Sequence, residues 1–152
     1  MRFEQVGTIL QKLAPDYHRQ VSRFYEGMAQ GDVSPRVRLM LDYLIDHEQS
    51  RALALGEFCQ GAPQQLLDHW LKGVENHFPQ ADSSVIEVGA ATDLDLVVKS
   101  AALYKKALID YFIHLVEQCH DRKIRNLIQT LKDQEEKAMK RMIRHAQGLA
   151  DL

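Results

Sequence analysis

Apolar residues recur along this chain at three- and four-residue steps, the mark of amphipathic helices, and no stretch alternates with the two-residue period of a strand. The first run covers roughly Phe3 to Gln30 and sets Leu10, Val21, Phe24 and Met28 on one stripe. Pro15 falls inside it, where a missing N–H and a clash with the preceding turn predict a kink or break near Ala14. Ser34-Pro35 opens the second run. Serine is a good N-cap, and proline at the first helical position gives up a hydrogen bond that no helix makes there. Val37, Leu41, Leu44, Leu55 and Phe58 follow at helical spacing until Gly61-Ala62-Pro63 ends the run. A third run begins near Thr92, with Asp95 three residues on as a capping box, and carries Leu94, Val97, Ala101, Leu108, Tyr111 and Leu115 as far as His120-Asp121. The last aligns Ile124, Ile128, Leu131, Met142 and Ala146 and stops at Gly148.

These runs predict an all-α chain forming a single domain over residues 1–152. A helical hairpin covers about 3–60, a crossover about 61–92, and a second hairpin about 93–148. The crossover, about thirty residues, is too long for a turn. Leu66, Leu67, Trp70, Leu71, Val74 and Phe78 give it a helical apolar face between Pro63 and Pro79, and Gln80 to Ala91 reads as loop. Two short connections flanking one long one wire a four-helix bundle with a partly helical crossover between its second and third helices. Trp70 and its apolar neighbours cap one side of that bundle, or else form an exposed patch for homodimerisation or partner binding.

An internal repeat supports the two-hairpin reading. One constant shift pairs Leu10 with Val97, Ala14 with Ala101, Val21 with Leu108 and Phe24 with Tyr111. Without a gap it goes on to pair Val37 with Ile124, Leu41 with Ile128, Leu44 with Leu131, Glu48 with Glu135 and Leu55 with Met142. Any two amphipathic helices align at some shift. Two helices, their turn and a pair of acidic positions aligning at one shift is a stronger coincidence than chance supplies, so the hairpins are expected to be related by a pseudo-two-fold axis.

Composition and charge narrow the classes. With 152 residues, 45% of them hydrophobic and 26% charged, the chain can bury a core and is neither a disordered tail nor a disulfide scaffold. Its 19 Lys and Arg balance 21 Asp and Glu, which leaves no electrostatic reason to expect nucleic acid or an anionic membrane as partner. No apolar run approaches the ~20 residues of a membrane span. Met1-Arg2-Phe3-Glu4-Gln5 carries no apolar signal region, so the expected setting is the cytoplasm, with Cys59 and Cys119 reduced.

Glu48 and Glu135 change the picture most. Each interrupts an apolar seam: Val37, Leu41, Leu44, Glu48, Arg51, Leu55 in the second helix, and Ile124, Ile128, Leu131, Glu135, Ala138, Met142 in the fourth. Both carboxylates should point inward, where an uncompensated charge costs several kcal/mol. A cation, a proton or hydrogen-bond donors must face them. Tyr17 falls level with Glu48 in an antiparallel pair, Tyr104 falls level with Glu135 by the repeat, and Arg51 can reach Glu135 across the core. The expected site is therefore a mid-bundle polar layer of Tyr17, Glu48, Arg51, Tyr104 and Glu135.

With Asp46-His47-Glu48-Gln49-Ser50-Arg51-Ala52 as its best local piece, the chain resembles the ferritin-like superfamily, rubrerythrin-like proteins above all. The resemblance spans all four long helices. It implies a di-iron site built from a Glu on the first and third helices and a Glu-x-x-His on the second and fourth. The two Glu-x-x-His glutamates fall on Glu48 and Glu135, their histidines on Arg51 and Ala138, and the remaining glutamates on Pro15 and Ala102. Only Glu48 and Glu135 keep a ligating side chain; arginine, alanine and proline offer a metal nothing. The resemblance thus implies a degenerate site with no metal or other cofactor expected, and a non-catalytic binding or structural protein of unidentified partner. The alternative is a metal-dependent oxidase, peroxidase or iron-binding protein using Glu48 and Glu135, with Asp16, Tyr17 or His18 as helpers. A small apolar ligand between the helices is a third option.

Other constellations carry less. Asp110, His114, Glu117 and Asp121 share a face of the third helix, but one that looks solvated. His18 flanks its stripe and reads as a hydrogen-bonded structural histidine. His69 and His77 are too far apart for one helix face, and no zinc site forms with Cys59. The basic last helix interleaves acids and reads as a solvated surface.

Overall fold

The structure, a computed structural model, describes residues 3–72, 78–85 and 93–152. The chain opens as a short strand, β1 (Phe3–Gln5), and runs straight into helix: α1 (Val6–Thr8), a π-helical turn over Ile9–Leu13, and α2 (Ala14–Ala29). Pro15 does not break this helix. Its ring lacks an N–H and crowds the carbonyl four residues back, and the turn before it widens so that the Ala14 N–H reaches the Ile9 carbonyl. A π bulge stands where a kink or break was expected.

Next comes α3 (Pro35–Gly61), capped by Ser34, whose hydroxyl accepts from the Val37 N–H at 3.3 Å. The crossover holds a short helix, α4 (Gln64–Leu67), a second strand, β2 (Trp70–Lys72), and a 3₁₀ turn at Ser83–Val85. The long helices α5 (Leu94–Gln118) and α6 (Arg122–Ala150) are capped by Asp93 and Asp121, which accept from Asp95 N at 2.9 Å and Ile124 N at 3.1 Å. Asp93 takes the capping role expected of Thr92, which lies outside the described residues.

The crossover departs from its expected helical face. β2 pairs antiparallel with β1, setting Glu4 opposite Leu71 and Gln5 opposite Trp70. Strands of three residues are too short to show alternation in a sequence pattern. Leu67 and Leu71 are buried as expected, but Trp70 is 57% exposed on the outer face of this ribbon. Val74 lies outside the described residues. Phe78 does pack inward, its ring 6.0 Å from Tyr17 and 4.8 Å from Tyr111.

Packing pairs α2 with α3 and α5 with α6, and α3 touches both helices of the second hairpin. A shared core of Leu10, Val21, Leu41, Leu44, Leu108, Leu115 and Met142 joins all four. Two stripe positions shift by one residue: Tyr25 and Cys59 are buried, while Phe24 is half-buried and Phe58 is 43% exposed. One residue is about 100° of helix rotation, so small errors in a stripe exchange neighbours. The architecture is helical, with the β1–β2 ribbon as the one sheet among the described residues. No helix among them is long and apolar enough to cross a membrane.

Candidate functional site

Midway along the long helices, each contributes one ionisable side chain to the interior: His18 from α2, Glu48 from α3, Lys105 from α5 and Glu135 from α6. All four are buried, none more than 4% exposed. The Lys105 ammonium lies between the glutamates, with Nζ 3.1 Å from Glu48 Oε1 and 2.8 Å from Glu135 Oε2. On the other side of the pair, His18 Nδ1 hydrogen-bonds Glu48 Oε2, and its Nε2 stands 3.5 Å from Glu135 Oε1. Arg51 enters from the edge, its Nε donating to Glu135 Oε1 at 3.2 Å while its side chain stays 18% exposed.

The protonation state follows from the contacts. Both ring nitrogens of His18 face carboxylate oxygens, and an ionised carboxylate has no proton to give. Each nitrogen must therefore carry one, which makes His18 an imidazolium. Burial alone would lower its pKa, but the hydrogen bonds to Glu135 and Glu48 reverse that and raise it above 6.5. Burial likewise opposes ionisation of Glu48; the Lys105 charge and the His18 hydrogen bond overcome it and bring the carboxyl down to about 2. Glu135 is held well below its usual range, burial again being outweighed by Lys105, then by His18 and Arg51. Lys105 rises above 10.5 because the two carboxylates outweigh its own burial. The result is three cations around two carboxylates, with every carboxylate oxygen facing a nitrogen.

Of the expected polar layer, Glu48, Arg51 and Glu135 meet here. Tyr17 and Tyr104 are buried beside them, but their hydroxyls turn to backbone: Tyr17 donates to the Tyr104 carbonyl at 2.6 Å and Tyr104 to the Asp82 carbonyl at 2.8 Å. Burial, then the nearby Glu48, pushes the Tyr17 phenol far up; burial and Asp82 push Tyr104 to about 12. Neither is a proton source near neutral pH. The positions that face the carboxylates are one residue further along each helix, at His18 and Lys105. They are also one turn beyond Pro15 and Ala102, where the family resemblance had put the first- and third-helix ligands.

Lys105 is the residue that sequence reasoning missed, because a lysine beside an apolar stripe is ordinarily a snorkelling surface residue. The repeat carried the signal. His18 and Lys105 stand 87 residues apart, the offset that also separates the hydrogen-bonded Tyr17 and Tyr104. The same offset relates Glu48 to Glu135, so at these matched positions each hairpin supplies one cation and one carboxylate, Arg51 adds a third cation from the first hairpin, and Lys105 and His18 each bridge the two hairpins.

Among the described residues, no group of three or more His, Cys, Asp or Glu is placed to hold a metal ion. Asp110 pairs with Lys106 at 2.6 Å on an exposed face, and Cys59 and Cys119 are buried thiols raised by desolvation. Compared with protein-family models, curated proteins and solved structures, the chain gives no significant match.

Proposed function

We propose that this chain is a ferritin-like four-helix bundle in which protein cations stand in the place of a di-iron centre, and that it acts as a non-catalytic binding or structural protein. The observation that carries this reading is the Lys105 ammonium, held within 3.1 Å of both glutamates. In the ferritin-like pattern, each of four helices aims its ligands at a shared centre. Here the first and third helices aim His18 and Lys105, and the two Glu-x-x-His histidines are Arg51 and Ala138. An ammonium and a guanidinium have no lone pair for a metal, and an imidazolium has none until it loses a proton. The residues present do not fit a di-iron centre. What they do instead is neutralise Glu48 and Glu135 and tie one hairpin to the other.

A binding role also suits the surface. Phe3, 49% exposed, and Trp70, 57% exposed, share the outer face of the β1–β2 ribbon, since Gln5 pairs with Trp70 and Phe3 with Lys72.

Metal content after anaerobic incubation with ferrous iron tests the reading. The expected result is no stoichiometric iron and no change in the visible spectrum on exposure to oxygen. About two irons per chain, as the di-iron pattern requires, with an oxygen-sensitive spectrum, would overturn it in favour of an iron-dependent oxidase or peroxidase using Glu48 and Glu135.

A further inference from the structure

Outside the ion cluster, α2 and α3 part to leave an open groove of about 470 Å³. Its position follows from helix periodicity. Arg19 and Gln49 each follow a cluster residue, and Ser22 and Ala52 lie one turn beyond His18 and Glu48. The groove therefore runs over the side of the buried cations.

Its polar groups are unevenly satisfied. Arg19 is paired with Asp16 at 2.9 Å, and Glu26 accepts from the Gln49 amide at 3.1 Å. Arg23, one turn from Arg19 and exposed, makes no ion pair among the described residues. Ser22 is the anomaly: it is 2% exposed and its hydroxyl meets no hydrogen-bond partner. A serine inside a helix ordinarily bonds the carbonyl four residues back, as Ser100 does with Leu96 at 3.0 Å. A buried hydroxyl without a partner is costly, and Ser22 lines the floor of the groove, where a turn about its Cα–Cβ bond brings the hydroxyl to a ligand. Beside these groups, Ala52 and the 66%-exposed Leu53 supply an apolar wall.

We propose that this groove binds a small organic monocarboxylate, its head on Arg23 and Ser22 and its hydrocarbon against Ala52 and Leu53. A guanidinium fork and a hydroxyl donor match a carboxylate, and the excess of cations over carboxylates in the cluster beneath adds to the attraction. Arg19 is taken up by Asp16 and Glu26 adds a negative charge to the lining, which leaves one guanidinium to match one carboxylate rather than a doubly charged phosphate monoester. The groove lies outside the cluster, so the inference does not rest on the reading of the cluster as a displaced metal centre.

The experiment is a two-dimensional amide NMR titration of the full chain with sodium hexanoate, n-hexanol and phenyl phosphate. Hexanoate should give saturable shifts centred on Ser22, Arg23, Gln49 and Leu53, with a dissociation constant on the order of 1 mM. Hexanol should bind more weakly, since it lacks the charge. Arg23→Gln, at an exposed position where folding is undisturbed, should weaken hexanoate about tenfold, and Ser22→Ala should weaken hexanoate while leaving hexanol unchanged. No saturable shift up to about 50 mM hexanoate, or equal affinity in Arg23→Gln, would overturn the site. Tighter binding of phenyl phosphate than of hexanoate would overturn the ligand class.

Discussion

His18 and Lys105 are cations held away from water, and each is tolerable there because both glutamates face it. The contacts are unequal. Glu135 meets Lys105, His18 and Arg51, whereas Glu48 meets only the first two. Breaking a buried ion pair by removing one partner typically costs about 3–5 kcal/mol. Lys105→Met removes one of three cations and leaves the charges balanced, so it should fall near the low end, about 3 kcal/mol. Glu135→Gln leaves three cations facing one carboxylate and should cost more; urea midpoints at unchanged slope would rank the two. The pH dependence has a defined sign on each limb. His18 is raised above 6.5 in the fold, so its contribution is complete below pH 6.5 and is lost as pH rises through the raised value. His47 is lowered from 6.5 to about 4, by burial first and the Lys105 charge second, so its contribution is complete above pH 6.5 and is lost as pH falls toward about 4. Glu48, lowered from 4.5 to about 2, adds a further loss only below pH 4.5. Thermal midpoints should peak near pH 6.5, and His18→Gln should remove the fall on the alkaline side. A maximum displaced to pH 9 or above would contradict the assignment of the alkaline limb to His18. The glutamates were legible in the sequence because a carboxylate in an apolar seam is conspicuous. Lys105 was not, because a long aliphatic cation belongs equally well to a surface, and only the fold decides where its ammonium ends.

Helix length governs what was legible among the elements. Over α3, α5 and α6 the apolar period repeats for many turns, and errors at single positions average out. Ser34 and Asp121 then mark the starts chemically, by accepting hydrogen bonds from the N–H groups three residues on. The ribbon of β1 and β2 has three residues a side, one alternation at most, and its pairing joins segments that sequence proximity never suggests. The π turn at Ile9–Leu13 is legible in part: Pro15 says that the helix must yield, not whether it yields by breaking or by widening. Gly7 shows how tightly this end is built. A Cβ there would stand 2.8 Å from the Leu67 carbonyl oxygen and 3.2 Å from its Cβ, so α1 rests on α4 through a glycine. Backbone cannot retreat as a flexible side chain does. Gly7→Ala should destabilise by about 1–3 kcal/mol, despite alanine's better helix propensity, and Gly56→Ala on an open helix face should be neutral or stabilising. Thermal melts of the two variants would separate close approach from propensity; equal shifts would remove the packing argument.

At the scale of the whole molecule, the 87-residue repeat pairs Glu48 with Glu135, His18 with Lys105 and Tyr17 with Tyr104, and the fold brings all three pairs together near one centre. The break in the symmetry is chemical: Arg51 corresponds to Ala138, so one hairpin supplies a guanidinium where the other supplies a methyl group. That difference lets a third cation into one side of the cluster, against Glu135. On the proposed reading, these positions retain the geometry of a di-iron centre and only their side chains have changed. The combined substitution His18→Glu, Lys105→Glu, Arg51→His and Ala138→His would then restore four carboxylates and two imidazoles around one centre, the ligand set of the carboxylate-bridged family. Without metal, four converging carboxylates repel one another, and the variant should be much less stable than the parent or unfolded. Cobalt(II) should reverse this, because binding to a site formed only in the fold adds its free energy to folding. The expected result is cobalt-dependent helix content and a visible ligand-field spectrum saturating at about two ions per chain, with neither expected of the parent. A variant that neither folds with cobalt nor binds it when folded would mean that the four helices converge at the wrong distances for two metals. The Lys105 bridge would then be an ion cluster native to this bundle, with no metal centre behind it.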